Sequence, residues 1–206
     1  MTTAVDDVTK QKWDSAAKSF DRLSAGDDRR FGPVKKRLFA KMQGKSLMVA
    51  AGTGNDFKHF PPGLDIVALD ISPKMLELAA PRAIGYPGTL TLQEADVCNL
   101  PYPDDTFDTV VTVCTFCSVP KPILGLSELR RVLKPGGQIL MFEHMRSAVA
   151  QFGVLLDLMT PLSRKFGPDL NRDTVGNVQK AGFKLRRVEN VYLDIVRIIE
   201  AVKEPA

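Results

Sequence analysis

From residue 46 onward, short apolar runs alternate with stretches of helical periodicity, and this alternation limits the possible folds more than any other feature. Five apolar runs predict strands: LMVAA, DIVALD, TLQEAD, FDTVVTVCTF and QILMFEH. A helix is predicted from Pro73 to Ala83 after a Ser72 cap, and another over ILGLSELRRVL, ended by Pro135-Gly136-Gly137. Strands that alternate with helices form parallel βαβ units, so the sequence predicts a three-layer α/β sandwich.

The end of the chain breaks this alternation. KLRRVENVY and DIVRIIEAV are two strand-like runs with only Leu193 between them. A parallel pair needs a long crossover, and there is no room for one here. At least one of these two strands is therefore predicted to pair antiparallel.

The N-terminal segment, residues 1–45, differs from the rest in charge. It carries 11 Lys and Arg against 6 Asp and Glu, whereas residues 46–206 carry 17 against 18. Two helices are predicted in it: one over residues 8–24, and, after a break at residues 25–28, one over residues 31–43 with Pro33 in its first turn. The nearly neutral remainder argues against a nucleic-acid-binding body.

The basic residues 29–45 leave two interpretations open. Apolar residues at helical spacing with lysines around them are typical of a helix lying on an anionic membrane surface. The same pattern fits a helix packed on the domain with solvated lysines. Three cysteines without a framework and no signal-like start favour a reducing compartment. The predicted location is the cytoplasm, with peripheral binding at the inner face of a membrane as an open alternative.

The stretch SLMVAAGTGNDF places a glycine-containing turn between the first strand and the next helix. A phosphate-binding P-loop needs Gly-Lys-Ser/Thr, but Asn55 and Asp56 follow Gly54. A dinucleotide fingerprint needs a third glycine near Phe57, which is absent. On these residues alone, a loop for another adenosine cofactor and a plain turn both remain possible.

Acidic residues at the next strand ends favour the cofactor. Asp70 ends the second strand, 18 residues after Gly52, where a carboxylate can accept hydrogen bonds from both ribose hydroxyls. Asp96 lies at the end of the third strand, where its carboxylate can accept from an adenine amino group. Both lie at the edge where α/β sheets bind ligands.

With these motifs the chain resembles the class I S-adenosylmethionine-dependent methyltransferases over roughly residues 10–200. The matching segments are VAAGTGN, VALDIS, EADVCNLPYPDDTFDTVV and ELRRVLKPGGQILMFEH. The most similar branch contains the ubiquinone/menaquinone C-methyltransferases, the bacterial phospholipid N-methyltransferases and the alkyl-thiol methyltransferases. The resemblance implies a Rossmann-like, seven-stranded, mostly parallel sheet with an antiparallel C-terminal strand. WDSAAKSFDRLS resembles the helix that covers the cofactor in that branch.

The resemblance also implies roles for particular residues, with S-adenosylmethionine as the cofactor. The implied cofactor-binding residues are Ala51, Gly52, Thr53 and Gly54 at the methionine part, Asp70 at the ribose, Ile71, Asp96 and Val97 at the adenine, and Cys114 near the carboxylate. Thr115 is expected near the acceptor. Met48 stands where the family usually has an acid, and Ala50 where it has a glycine. Asp56 is a candidate to replace that acid.

His144, after the fifth strand, has two interpretations. It faces the expected acceptor region and could act as the base; alternatively it is a structural histidine that aligns the next loop. His59 is expected to carry no chemistry. Cys114 and Cys117 form a C-x-x-C on a strand end, where core packing is favoured over redox or metal roles. No metal site is predicted.

A segment at about residues 146–172 is predicted to form a wall or lid over the acceptor. Its apolar stripe suits a hydrophobic acceptor or ordinary core contacts, and Arg146 and Arg172 are candidates for an acidic group on the acceptor. The division expected is 1–45 as a cofactor- and acceptor-covering region and 46–206 as the methyltransferase domain.

The predicted function is methyl transfer to a small hydrophobic or lipid-like acceptor. Methylation of a phospholipid amine, phosphatidylethanolamine, is the leading case, followed by a small thiol and then a quinone precursor. The alternative of another class is a non-catalytic module that binds the cofactor or a partner.

Overall fold

The computed structural model describes residues 4–205. Seven strands form one sheet in the order β3-β2-β1-β4-β5-β7-β6. The strands are β1 (Lys45–Val49), β2 (Asp65–Asp70), β3 (Thr89–Glu94), β4 (Phe107–Val113), β5 (Leu133–His144), β6 (Lys184–Tyr192) and β7 (Val196–Val202).

Strand direction follows the sequence prediction. β1 pairs parallel with both β2 and β4, β3 with β2, and β5 with β4, whereas β7 pairs antiparallel with both β5 and β6. The predicted fold class is therefore confirmed. In the sheet, β1 lies between β2 and β4, so the strand order reverses at β1. A crevice that can bind a ligand forms at such a reversal.

Helices cover both faces of the sheet. They are α1 (Ala4–Phe39), α2 (Pro73–Ile84), α3 (Pro122–Val132), α4 (Ala150–Phe166) and α5 (Thr174–Lys180). Alternate strand residues point to opposite faces. Leu47 packs in a cluster with residues of α3 and α5, and Met48 packs in a second cluster with residues of α1 and α2. These two cores give the three predicted layers.

The prediction of two N-terminal helices is wrong, because α1 runs without a break from Ala4 to Phe39. Residues 25–28 are helical, and Pro33 lies inside the helix. Phe31, Leu38 and Phe39 of its second half are buried in the core. Burial of this apolar face stabilises the helix more than the local breaking signals weaken it.

Several strand boundaries also differ from the prediction. β1 ends at Val49, and Ala50 has a left-handed backbone. β3 ends at Glu94, so Asp96 lies two residues beyond the strand. β5 begins at Leu133, and the Pro135-Gly136-Gly137 stretch belongs to this strand, where pairing with β4 is irregular.

The structure gives no support to the membrane interpretation of residues 29–45. The apolar residues of this segment face the core, and Lys35 is buried. Arg37 and Lys41 form ion pairs with Glu189 and Glu200. Between residues 4 and 205, no helix is both long and apolar enough to cross a bilayer.

Candidate cofactor cleft

A cleft of about 670 Å³ lies at the carboxyl ends of β1, β2 and β4, with α1 across it. This is the edge of the sheet where the strand order reverses. Eight of the nine predicted cofactor residues line it: Ala51, Gly52, Thr53, Asp70, Ile71, Asp96, Val97 and Cys114. Thr115 lines it as well, so nine of the thirteen predicted site residues come together.

The turn after β1 has a left-handed backbone at three positions. The φ angles are 52° at Ala50, 55° at Gly52 and 78° at Gly54. A side chain on Gly52 would lie 3.3 Å from the ring of Phe20 on α1, so this glycine lets α1 approach the turn. The turn is fixed to the neighbouring strand because the Ala51 N–H donates to the Leu69 carbonyl at 2.9 Å.

Gly54 lies outside the cleft, in contrast to the sequence prediction. A side chain at this position would come within 2.7 Å of the Phe57 ring and 3.1 Å of the Ala79 methyl group of α2. Gly54 therefore serves the turn and the close packing of α2. It lines a separate, smaller cavity behind the turn.

Asp70 is a buried carboxylate, 5% exposed, at the end of β2. The Gly52 N–H donates to its Oδ2 at 2.8 Å, and the Ser72 N–H donates to its Oδ1 at 2.9 Å. Burial raises the pKa of Asp70, and these backbone donors oppose the rise. A carboxylate offers about four acceptor sites, so capacity remains for a ligand hydroxyl.

Asp96 and Val97 form the far end of the cleft. The Cys98 N–H donates to the Asp96 Oδ1 at 2.9 Å, which fixes the loop after β3. Val97 is buried in the core on the α3 side and lines the cleft with its remaining surface. This carboxylate with an apolar neighbour suits the edge and the face of a base.

Glu143 organises the turn after β4, and sequence reasoning missed it. Its side chain is fully buried and accepts from the Thr112 hydroxyl at 2.7 Å, the Thr115 N–H at 3.1 Å and the Phe116 N–H at 3.1 Å. Burial raises the pKa of Glu143 to about 7. The apolar strand around it hid this role in the sequence.

The same turn presents Cys114 to the cleft, with φ of 48°. The Cys114 side chain is exposed toward the cleft, yet the protein packed around it raises the pKa of its thiol well above the ordinary value. Burial raises the pKa of Cys117 to about 12. Both thiols are therefore protonated near neutral pH, which disfavours redox chemistry. The described residues contain no cluster of His, Cys, Asp and Glu that could hold a metal.

α1 closes the cleft through polar contacts along its length. Lys10 pairs with Glu94, and the Ser72 hydroxyl donates to Asp14 at 2.6 Å. Asp21 pairs with Arg82 of α2 at 2.9 Å. Trp13 and Phe20 stack edge to face 6.0 Å apart and line the cleft. The helix therefore reaches both the strand ends and α2.

Besides Gly54, three predicted residues are absent from the cleft lining: His144, Arg146 and Arg172. Burial lowers the pKa of His144, and its Nδ1 is buried with no hydrogen-bond partner in the described part of the chain. The geometry thus gives no support to His144 as the base. It also gives no support to a structural role in which His144 Nδ1 aligns the next loop through a hydrogen bond.

Both arginines have partners within the protein. Arg146 pairs with Asp157 of α4 at 2.8 Å. Arg172 pairs with Asp169 at 2.7 Å and donates to the Val119 carbonyl at 3.3 Å. These contacts attach the segment after β5 to the rest of the molecule, and they leave the predicted role at the acceptor without geometric support.

The position and chemistry of the cleft define an α/β protein that binds an adenosine cofactor. The buried Asp70, the open turn at Gly52 and the carboxylate of Asp96 fit the ribose, the thioether part and the adenine of S-adenosylmethionine in that order.

Comparison with known proteins agrees with this assignment. Residues 47–141 match the family described as methyltransferase domain. Demethylmenaquinone methyltransferase of Deinococcus radiodurans is 34% identical, with 66% of this chain and 58% of the relative covered. Thiol S-methyltransferase TMT1B of Homo sapiens is 28% identical, with 81% of this chain and 74% of the relative covered. These matches support the assignment of the chain to the class I S-adenosylmethionine-dependent methyltransferases.

Solved structures support the fold. A SAM-dependent methyltransferase from Aquifex aeolicus superposes with a TM-score of 0.68 at 19% identity, over 91% of this chain and 98% of that one. The chain spans little more than half the length of the first three curated relatives that it matches, between 54% and 58%.

Proposed function

We propose that the chain transfers a methyl group from S-adenosylmethionine to a small hydrophobic acceptor. The observation that carries this proposal is Asp70, a buried carboxylate held by two backbone donors at the strand-reversal point, with acceptor capacity left toward the cleft. When bound, the cofactor supplies a sulfonium methyl group that the acceptor takes by in-line displacement. The protein contributes alignment and exclusion of water.

The cleft walls favour an apolar acceptor. Trp13 and Phe20 of α1 line the cleft, and so do Val119 and Leu124. Val119 belongs to the wall to which the segment after α4 is attached through Arg172. An acceptor with an alkyl or aromatic body would bury apolar surface against these side chains.

α4 adds an apolar surface to this side of the molecule. Seven large apolar residues, Val149 just before α4 and six within it, are about half exposed or more. The six are Phe152, Val154, Leu155, Leu158, Met159 and Leu162. The lid predicted at about residues 146–172 stays a proposal, because none of α4 lines the cleft. Its exposed face is consistent with the approach of hydrophobic molecules.

A small thiol is the first candidate acceptor, and a quinone precursor the second. The match to the thiol S-methyltransferase extends over 81% of the chain, against 66% for the demethylmenaquinone methyltransferase. Phosphatidylethanolamine, favoured on sequence, has no observation of its own in the fold and remains a third arm of the test.

The acceptor is proposed to reach the cleft already ionised or to lose its proton to water. Both histidines of the chain lie outside the cleft lining. The pH dependence of the rate should therefore follow the pKa of the acceptor. His144→Gln should leave the rate within about threefold of wild type.

The experiment is methyl transfer from labelled S-adenosylmethionine to short alkyl thiols, quinone precursors and phosphatidylethanolamine vesicles. Label on the thiol, lost in Asp70→Asn and kept in His144→Gln, is the expected result. If label appears only on the quinone precursor or only on the lipid, that compound is the acceptor and the thiol is not. Cofactor binding without transfer to any of the three would favour a non-catalytic binding module.

A further inference from the structure

One end of the cleft carries a compact group of charges that sequence reasoning did not place there. Lys35 of α1 lies with its Nζ 3.0 Å from Asp56 Oδ1 and 3.2 Å from Asp27 Oδ2. Its side chain is 6% exposed, whereas that of Asp27 is 43% exposed and that of Asp56 is 14% exposed. All three residues line the cleft.

This group lies at the opposite end of the cleft from Asp96. The Lys35 Nζ is 5.5 Å from the centre of the Phe142 ring on β5. Both Lys35 and Asp27 act electrostatically on the thiol of Cys114 after β4. Because β3, which precedes Asp96, lies three places from β4 in the sheet, a ligand with its adenine at Asp96 extends along the cleft toward Lys35.

The other lysine of the cleft lies at the wrong end to share this role. The Lys121 carbonyl is the acceptor for the thiol of Cys98, next to the adenine-binding loop. Within the described part of the chain, Lys35 is therefore the cation that lines the cleft near Cys114, and Asp27 and Asp56 are its carboxylates.

Burying an ammonium group is unfavourable, and the protein compensates with two carboxylates. Desolvation alone would lower the pKa of Lys35, but Asp56 and Asp27 outweigh it and raise the pKa. The ammonium group therefore stays charged. Asp56 is largely buried beside it, whereas Asp27 is more exposed and free to exchange partners.

Met48, which stands where the family usually has an acid, supplies no charge to the end of the cleft near Lys35. Met48 is 1% exposed and packs in the apolar cluster that contains Phe142. Paired charges of both signs at one end of a cleft, a buried ammonium and a more accessible carboxylate, match a zwitterion, whose carboxylate and ammonium groups need one partner each.

We propose that Lys35 and Asp27 bind the amino-acid end of the cofactor, which extends the proposed function and rests on it. Lys35 receives the carboxylate, Asp27 turns from Lys35 to the ammonium group, and Asp56 holds Lys35 in place. The N-terminal helix thus supplies charges to the cofactor site, in addition to its aromatic wall.

The test compares two ligands that share the adenosine and thioether parts. S-adenosylhomocysteine carries the amino-acid end, and 5′-methylthioadenosine lacks it. Both are titrated calorimetrically into wild type, Lys35→Gln and Lys36→Gln. Lys36 is the exposed neighbour on the same helix, so it controls for loss of one positive charge.

Lys35→Gln should weaken S-adenosylhomocysteine at least tenfold and change methylthioadenosine less than twofold, while Lys36→Gln changes neither. Equal weakening of both ligands would mean that Lys35 only supports the fold, and no change would mean that it does not contact the ligand; either result overturns the inference. Wild type that binds neither ligand would instead refute the proposed function.

Two further variants keep the test decisive if Lys35→Gln unfolds. Lys35→Arg retains the charge and should keep most of the selectivity for S-adenosylhomocysteine over methylthioadenosine. Asp27→Asn, at a partly exposed position, should reduce that selectivity severalfold. Unchanged selectivity in Asp27→Asn would exclude Asp27 as the partner of the ammonium group.

Discussion

At the scale of single residues, the cofactor turn is strained at one position. Ala50 has φ of 52°, which costs an L-residue with a side chain roughly 1–2 kcal/mol. It also lines the cleft. The strain therefore lies in the turn that receives the ligand, a place where strained backbone often collects.

Ala50→Gly should stabilise the protein by about 1 kcal/mol, because glycine adopts this backbone freely. The measurement is chemical denaturation of wild type and variant. Ala51→Gly is the matched control: Ala51 is buried, has no left-handed backbone, and should lose stability. If both variants lose stability equally, Ala50 is not strained.

Glu143 gives the second prediction at this scale, a pH dependence. The pKa of Glu143 is about 7 in the folded state, above the ordinary value of 4.5, because of burial. Below pH 4.5 the group is protonated in both folded and unfolded states. As pH rises from 4.5 through 7, the unfolded state ionises first, so Glu143 lowers stability by an amount on the order of 3 kcal/mol.

Glu143→Gln should therefore flatten the dependence of the free energy of unfolding on pH between 5 and 8. The variant should also be less stable at pH 5, since an amide cannot accept at both of its ends from the Thr115 and Phe116 N–H groups. The readout is urea denaturation at five pH values. If the free energy of unfolding depends on pH in the same way in wild type and variant, the pKa of Glu143 is not raised.

At the scale of elements, α1 is long but weakly attached along its first half. Its ion pairs to Glu94 and Arg82 involve side chains that are about a third exposed or more on at least one side. Such pairs contribute about 0–1 kcal/mol each. The second half is attached by the buried Phe31, Leu38 and Phe39. We therefore expect the first half to open for ligand entry more readily than the second half.

Pro33 weakens α1 within its second half. A proline inside a helix removes one hydrogen bond and clashes with the preceding turn, at a cost of about 3 kcal/mol. Pro33→Ala should therefore raise stability by at least 1 kcal/mol in thermal or urea denaturation. Pro73→Ala, at the first turn of α2 where proline is tolerated, should be neutral or slightly destabilising. Equal effects would show that α1 is already distorted there.

The elements that sequence predicted well are those whose signals are local. Apolar runs bounded by turn residues placed all seven strands, and Ser72 placed the start of α2, where its hydroxyl caps the Met75 N–H at 3.1 Å. The continuity of α1 could not be predicted in this way. Pro33 favours a helix start locally, and only packing against the sheet decides otherwise.

In the candidate site, too, the residues placed by local signals could be predicted, whereas those placed by tertiary packing could not. Asp70 ends β2 and Gly52 lies in the turn after β1, so their meeting at the sheet edge follows from the topology. Lys35 looks like one of several exposed lysines in the sequence, and its burial beside Asp56 depends on where α1 crosses the sheet. His144 was predicted from its position at a strand end, but the side chain does not line the cleft.

At the scale of the whole molecule, cofactor binding should be coupled to stability. The cleft is assembled from α1, the turn after β1 and the ends of β2 and β4, so the ligand contacts segments distant in sequence. A ligand that binds only the folded state at 100 times its Kd stabilises that state by about 2.7 kcal/mol. The α1 contacts should be among those that tighten.

The most direct test of the central claim is calorimetric titration of S-adenosylhomocysteine into wild type, Asp70→Asn and Asp65→Asn. Asp65 is exposed at the opposite end of β2 and serves as the matched control. We expect wild type and Asp65→Asn to bind alike and Asp70→Asn at least tenfold more weakly, because it loses charge-assisted bonds to the ribose worth about 1.5–3 kcal/mol each. Equal affinity of all three proteins, or no binding by wild type at millimolar ligand, would contradict the assignment of this cleft.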